Sequence, residues 1–199
     1  MSEEWYETVG ADVPITQGDL IFNCPLIHWQ SKDIELKGDQ YLEVLKGSTE
    51  VISADVIVLT QACDLEHFKV SNVILCPHVS FGEYQALWEA EMREKSQNPT
   101  LKAWSSHCGD ICDGFVWNLA MLSSFETDEH TETDEHTIDI RIVDFREVYT
   151  VPRKFLESLL KHRNERRLRL LPPYREHLSQ AFARFFMRVG LPTEIKKVW

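Results

Sequence analysis

The alternation of apolar and polar positions predicts mainly β-structure in the first 150 residues. Short apolar runs bounded by glycine or proline are typical of strands, and they occur at 18–25, 41–45, 54–60 and 72–76. The runs at 54–60 and 72–76 contain many β-branched residues without polar alternation, so we expect central strands buried on both faces. Two further strands are predicted at 115–122 and 138–149.

Helical patterns appear in three places. Ser80 followed by Glu83 has the spacing of a capping box, so a helix is expected to begin there. After Pro152, and again after Tyr174, apolar residues recur three and four positions apart, which is the spacing of an amphipathic helix. The last of these helices is expected to end at Gly190.

An acidic tandem repeat separates the last two predicted strands. The residues Thr-Asp-Glu-His-Thr occur at 127–131 and again at 133–137. Such a hydrophilic segment cannot bury enough surface to order itself, so a mobile loop is expected at 126–137. We therefore predict an α+β fold with two parts: a β-rich body at 1–150 with an inserted helix, and C-terminal helices at 151–199 that pack on it.

Charge divides the chain at the same point. Residues 151–199 contain twelve Lys and Arg against four Asp and Glu, a net charge of +8, whereas the other 150 residues carry −19. The basic end is expected to face an anionic partner or the acidic body, and solvated surface charge is the alternative. The candidate nucleic-acid-binding residues are Arg163, Arg166, Arg167, Arg169, Arg184 and Arg188.

The composition is typical of a cytoplasmic protein. The chain has no run of about 20 apolar residues, the length that spans a bilayer, so no membrane partner is expected. Its acidic start lacks the apolar stretch of a secretory signal, and the five cysteines, an odd number, are expected to stay reduced.

Short motifs in the predicted strands resemble a known family. Gly-Asp-Leu at 18–20, Val-Ile-Val-Leu-Thr at 56–60 and Val-Ile-Leu-Cys-Pro-His-Val-Ser at 73–80 resemble the corresponding pieces of PemK/MazF-type toxin barrels. The resemblance implies an SH3-like (PemK/MazF-like) β-barrel, here with an inserted helix and a C-terminal helical extension. The elements Thr-Gln-Ala-Cys-Asp-Leu at 60–65 and Leu-Pro-Pro-Tyr-Arg at 171–175 are also similar to those of uncharacterised bacterial proteins.

The resemblance implies a metal-independent endoribonuclease that acts on single-stranded RNA. In that family an arginine before the central strand and a threonine or serine after the next strand carry the chemistry. Here residues 50–55 contain no arginine, and the threonine position is matched by Val79, with Ser80 one step beyond. A phosphodiester transition state needs cationic or hydrogen-bonding help, so the sequence predicts the barrel more directly than the activity.

Two kinds of chemistry remain open at the strand ends. Cys63 is a candidate nucleophile with His67 or His78 as its base and Asp64 to orient that base, and Ser80 is a further catalytic candidate. The alternative is a small buried cysteine beside an aspartate that caps a turn. A tetrahedral zinc site could draw on Cys76, His78, Cys108 and Cys112, and its alternative is a set of reduced, half-buried cysteines.

Three functions are therefore compatible with the sequence. The first is a toxin-like endoribonuclease of a bacterial toxin, phage or defence operon, with RNA as its partner. The second is a non-catalytic regulatory module on the same fold, stabilised by zinc or without a cofactor, which binds a ligand or a cognate protein from the same operon. The third is a protein with one small-molecule pocket, and a homodimer is compatible with each of them.

Overall fold

A computed structural model of the chain describes residues 4–30, 41–126 and 137–187. Within these ranges there are eight strands and six helices. The strands are β1 (Tyr6–Val9), β2 (Leu20–Trp29), β3 (Thr49–Val58), β4 (Asn72–Ser80), β5 (Leu119–Leu122), β6 (Arg141–Asp144), β7 (Tyr149–Pro152) and β8 (Arg167–Leu170). The helices are α1 (Tyr41–Gly47), α2 (Ala62–Glu66), α3 (Phe81–Glu94), α4 (Leu101–Cys112), α5 (Arg153–Arg163) and α6 (Tyr174–Phe186).

The predicted SH3-like (PemK/MazF-like) β-barrel is wrong. The described strands form an α+β structure with two antiparallel sheets, and none of these strands closes a barrel. The larger sheet has the order β2-β3-β4-β6-β5, with β7 also paired to β4, and the smaller sheet joins β1 to β8. The sheet branches because β4 changes partner along one edge: residues 72–75 pair with β7 and residues 78–80 pair with β6. The change falls at Cys76 and Pro77, and proline cannot donate a ladder hydrogen bond.

Three hydrophobic cores among the described residues hold the sheets to the helices, the smallest of them around Ile111, Leu119 and Ile142, and the two larger ones join the two parts of the chain. One of the larger cores lies inside β2, β3, β4 and β7 and is covered by Leu156 and Leu160 of α5. The other joins both sheets, through side chains such as Tyr6, Val143 and Leu170, and it is covered by Leu178 of α6. Residues before and after position 150 therefore share both of the larger cores.

Several local predictions are confirmed. The strand predicted at 54–60 overlaps the second half of β3, and the strand predicted at 72–76 lies within β4. Both contain fully buried residues. Ser80 Oγ accepts a hydrogen bond from the amide of Glu83 at 3.2 Å, and the Glu83 carboxylate accepts one from the amide of Ser80 at 2.9 Å, which completes the capping box.

Other local predictions are wrong. The segment predicted as a strand at 41–45 is helix α1, and the expected strand at 138–149 is split into β6 and β7. The basic end is not wholly helical, because β8 pairs with β1 in antiparallel register. Of the expected loop at 126–137, residues 127–136 lie outside the described residues, and so do Arg188 and Gly190. Phe125 and Ile138, which flank the repeat, exchange backbone hydrogen bonds of 2.9 and 2.8 Å.

None of the helices in the described ranges is long and apolar enough to cross a membrane.

Candidate functional site

The Thr-Gln-Ala-Cys-Asp-Leu element at 60–65 links the sheet to α2. Thr60 is buried at the end of β3, and its hydroxyl accepts a 2.7 Å hydrogen bond from the amide of Ile74 on β4. Leu65 is fully buried, and its carbonyl accepts a 2.5 Å bond from Arg153 of α5. These contacts show that the two ends of the motif, Thr60 and Leu65, are structural.

Cys63 and Asp64 are the accessible part of the motif. The Cys63 thiol is exposed, with its Sγ 3.8 Å from Gln61 Oε1 and 3.7 Å from Asp64 Oδ1. Asp64 also forms an ion pair with Lys69 at 3.4 Å. Among the described residues, no histidine hydrogen-bonds to Cys63, so the expected nucleophile and base are not brought together here.

A shallow cavity of about 340 Å³, lined mostly by residues with polar side chains, lies beside Cys63. Arg175 of α6 reaches it, with its guanidinium bound to Glu176 at 2.6 and 3.1 Å. Among the described arginines of the basic end, Arg175 is the one that lines the cavity beside Cys63, and it was not among the arginines selected from the sequence. Its paired guanidinium is largely neutralised.

His78 belongs to a separate, buried polar cluster. Its Nδ1 accepts a 2.9 Å hydrogen bond from Arg141 Nε, and Arg141 also binds the Asp55 carboxylate at 2.5 Å. Nε2 has no hydrogen-bond partner among the described residues. Burial, and next the positive charge of Arg141, lower the pKa of His78 to about 3, although the backbone of Val56 acts in the opposite direction. A general base should have a pKa near the working pH, so His78 is not suited to that role.

Arg141 is the residue that sequence reasoning missed. It stands directly opposite Ser80 in the β4–β6 register. The fold therefore places an arginine from a distant strand beside the end of β4, although residues 50–55, where the toxin family has its arginine, contain none. The alternation at 138–142 suggested a solvent-facing position, whereas Arg141 is buried against Asp55 and the ring of Phe22. Ser80 itself donates a 2.6 Å bond to Glu83, which commits its hydroxyl to capping α3.

Three of the six candidate nucleic-acid-binding arginines bind the protein itself. Arg163 donates to the carbonyls of Phe22 and Asn23 at 2.7 and 2.6 Å. Arg167 and Arg169 both bind Asp19, at 2.7 and 2.6 Å, and Asp19 is fully buried.

The other three candidate arginines differ in their surroundings. Arg166 is exposed and also interacts with another group of the protein. Arg184 lies over the ring of Trp117, and Arg188 is outside the described residues. RNA binding by this set stays a prediction, and it now depends on fewer side chains.

The four candidate zinc ligands are dispersed. Cys76 and His78 are buried in the sheet, whereas Cys108 and Cys112 lie on α4, where the Cys112 thiol contacts Met121 Sδ at 3.5 Å. Within residues 4–30, 41–126 and 137–187, no three His, Cys, Asp or Glu side chains form a group that could hold a metal ion. A zinc-stabilised state stays a prediction.

An exposed apolar groove lies between β2 and β7. Its volume is about 880 Å³, and consecutive residues of both strands line it. The sheet curls so far that His28 Nδ1 of β2 lies 2.8 Å from the hydroxyl oxygen of Tyr149 on β7. No backbone ladder joins these two strands in the described part of the chain, so two strand edges face each other across the groove.

Large apolar side chains are left in solvent around this groove. The exposed fractions are 70% for Ile27, 55% for Trp29, 75% for Val51, 40% for Val148 and 43% for Phe155. Contiguous apolar surface of this kind marks interaction sites on proteins that are otherwise well packed. The β2–β7 groove is therefore the candidate functional site.

No protein-family model, no curated protein and no solved structure matches this chain. The resemblance to the toxin family, the RNA-directed activity and the defence-operon setting accordingly stay predictions from the sequence, whereas the barrel itself is excluded for the described strands.

Proposed function

We propose that this protein is a non-catalytic binding module that docks an extended segment of a partner protein in the β2–β7 groove. The observation that carries the proposal is the pair of facing strand edges rimmed by exposed apolar side chains. An extended segment that enters such a gap gains main-chain hydrogen bonds from an edge strand, and side-chain contacts from the groove walls.

The edges have the hydrogen-bonding capacity that this docking needs. In the described residues β2 pairs through a backbone ladder with β3, and β7 pairs with β4, so each strand keeps one edge toward the groove. Exposed edges attract a further strand because their amides and carbonyls lack ladder partners. The proposed segment completes the pairing that the six-stranded sheet leaves open.

The apolar contacts come from residues on both walls. Ile27 and Val51 are direct cross-strand neighbours on β2 and β3, and Phe155 of α5 faces them from the β7 side. Burial of a large apolar side chain contributes about 1.5–3 kcal/mol, so even partial cover of this rim supplies useful affinity. In the docked segment, every second side chain, the ones that face the groove walls, should therefore be apolar.

The charges around the groove favour a segment with basic ends. Glu147 lines the groove. Its carboxylate forms no ion pair with another described residue, whereas Arg146, which also lines the groove, is bound to Asp144 at 2.5 Å. The chain as a whole carries −11, which adds to the attraction for a basic partner.

Fluorescence anisotropy with labelled peptides tests the proposal. The probe is a peptide of about eight residues, the length of an ordinary strand, with alternating valine and threonine between lysine ends. We expect it to bind at least about tenfold more tightly than the same peptide with glutamate ends. Methylation of alternate backbone nitrogens should abolish binding, because it removes the donors that pair with a strand edge.

A matched pair of variants locates the binding site. The Ile27→Thr, Val51→Thr double variant should weaken binding of the peptide by about tenfold or more, because each of the two substitutions removes apolar surface from the rim of the groove. Leu87→Thr, at an exposed leucine on α3, should leave it unchanged. Equal binding of the methylated peptide, or no effect of the double variant, would overturn the proposal. A concentration-dependent dimer that the double variant abolishes would instead identify a second copy as the occupant.

A further inference from the structure

A second cavity lies between α6, β5 and the C-terminal end of α4. Its volume is about 600 Å³, within the range of about 300–1,000 Å³ that is usual for small-molecule sites. Its walls include the buried side chains of Ile111, Leu119, Leu122 and Leu178. The cavity shares no lining residue with the β2–β7 groove. Such walls suit the apolar body of a small ligand.

Aromatic side chains shape one end of this cavity. Trp5 and Tyr174 both line it, and their rings are stacked with centroids 3.8 Å apart and planes 12° apart. Stacked rings present flat apolar surfaces, and offset-stacked or edge-on aromatic partners pack well on them. The ligand body that fits this end best is therefore planar.

Arg184 places a cation on the wall of the cavity. Its guanidinium lies 5.5 Å from the centre of the Trp117 ring, and within the described residues it forms no ion pair with a carboxylate. Gly114 lies beside it: a Cβ at that position would be in ordinary van der Waals contact with Arg184 Nη1, at 3.5 Å, and only the φ of +73° favours glycine there. A planar guanidinium is well suited to bind a carboxylate through two hydrogen bonds.

The remaining polar groups limit the charge of the ligand. Asp113 also lines the cavity, next to Gly114, and it would repel a doubly charged phosphate more than a singly charged carboxylate. His177 lies on α6 seven residues before Arg184, which places it about 10 Å away along the helix axis. We propose that this cavity binds a small aromatic carboxylate, with its ring against the aliphatic wall and its carboxylate on Arg184.

Isothermal titration calorimetry of the full chain with 1-naphthoate and 1-naphthamide tests this inference. The two probes have nearly the same shape and differ in charge, so naphthoate should bind at least about tenfold more tightly than the amide. Arg184→Gln should remove that difference and leave the amide unchanged. Arg93→Gln is the matched control, because Arg93 is an exposed arginine on α3 that pairs with Glu89.

Filling the cavity provides a second test that does not depend on charge. Ala181→Phe on α6, or Ala120→Leu on the opposite wall, should abolish binding of both probes, and thermal unfolding without ligand shows that each variant is folded. The inference is overturned if naphthoate and naphthamide bind equally to the unaltered protein, or if Arg184→Gln retains the preference. It is also overturned if a folded cavity-filling variant still binds. Loss of peptide binding at the β2–β7 groove would not affect this result.

Discussion

Replacement of Asp19 by alanine should destabilise the protein more than any surface substitution. Asp19 precedes β2, and its side chain has no exposed surface. Its carboxylate accepts hydrogen bonds from Arg167 Nε at 2.7 Å, from Arg169 Nε at 2.6 Å and from the amide of Thr16 at 3.1 Å. Both arginines belong to β8, so this cluster joins the two sheets at one point.

The magnitude follows from what the substitution leaves behind. The Arg167 side chain is only 3% exposed, so its positive charge would stay buried without a counter-ion. Loss of one partner from a buried ion pair costs about 3–5 kcal/mol, a large part of the roughly 5–15 kcal/mol by which domains are stable. Arg167 would keep three hydrogen bonds to the carbonyls of Gly10, Val13 and Pro14, which places the expected loss toward the lower end of that range.

Urea unfolding followed by tryptophan fluorescence measures this loss. Asp64→Ala is the control, because Asp64 is partly exposed and pairs with Lys69 on the surface, where such pairs contribute about 0–1 kcal/mol. The double variant Asp19→Ala, Arg167→Met should cost less than the sum of the two single changes, since it removes the orphaned charge. A loss below about 1 kcal/mol for Asp19→Ala would refute the reasoning.

Four further predictions follow from particular side chains. Because the pKa of His78 is about 3 in the folded protein, the unfolded chain binds more protons below the ordinary histidine value of about 6.5, and stability should fall as the pH falls. Between pH 7 and pH 5 the unfolding free energy should fall by about 2 kcal/mol through this group, as measured by urea unfolding. If the unfolding free energy of a His78→Asn variant fell as steeply with pH as that of the unaltered protein, the prediction would be contradicted. Ser80→Ala should cost about 1 kcal/mol of unfolding free energy through the lost cap, whereas Ser105→Ala on α4 should cost nothing; equal effects would argue against the cap. Protein purified without added zinc should hold no stoichiometric metal and melt unchanged in chelator, because Cys76 and His78 lie in the sheet whereas Cys108 and Cys112 lie on α4, and no three such side chains meet among the described residues; bound zinc would disprove this. With a thiol reagent, Cys63→Ser should remove one fast-reacting thiol, since Cys63 is exposed whereas burial raises the pKa of Cys24 to about 11; an unchanged fast phase would show that Cys63 is shielded.

Features that depend on neighbours in sequence could be predicted. The capping box requires Ser80 and Glu83 three residues apart, and the buried strands β3 and β4 follow from uninterrupted β-branched runs. The apolar stripe of α6 gave its position within the basic end. In each case the energy that determines the structure comes from contacts within a few positions, or from the average tendency of apolar residues to be buried.

The candidate site required information of another kind. The β2–β7 groove exists because His28 and Tyr149, far apart in the chain, meet without completing a ladder. The cavity at Arg184 likewise needs α6, β5 and α4 to meet, and α4 was not predicted. A strand's own pattern does not show which edge stays unpaired.

The arginines of the basic end show the same difference between what the sequence determines and what the tertiary structure determines. Composition alone determined that residues 151–199 carry +8 and would seek negative charge. The tertiary fold alone brought Asp19 between Arg167 and Arg169, turned Arg163 onto the carbonyls of Phe22 and Asn23, and left Arg184 without a described carboxylate partner. The reason is physical: a charge is a property of one residue, whereas its neutralisation depends on the distance and burial of a partner, which chain order does not contain.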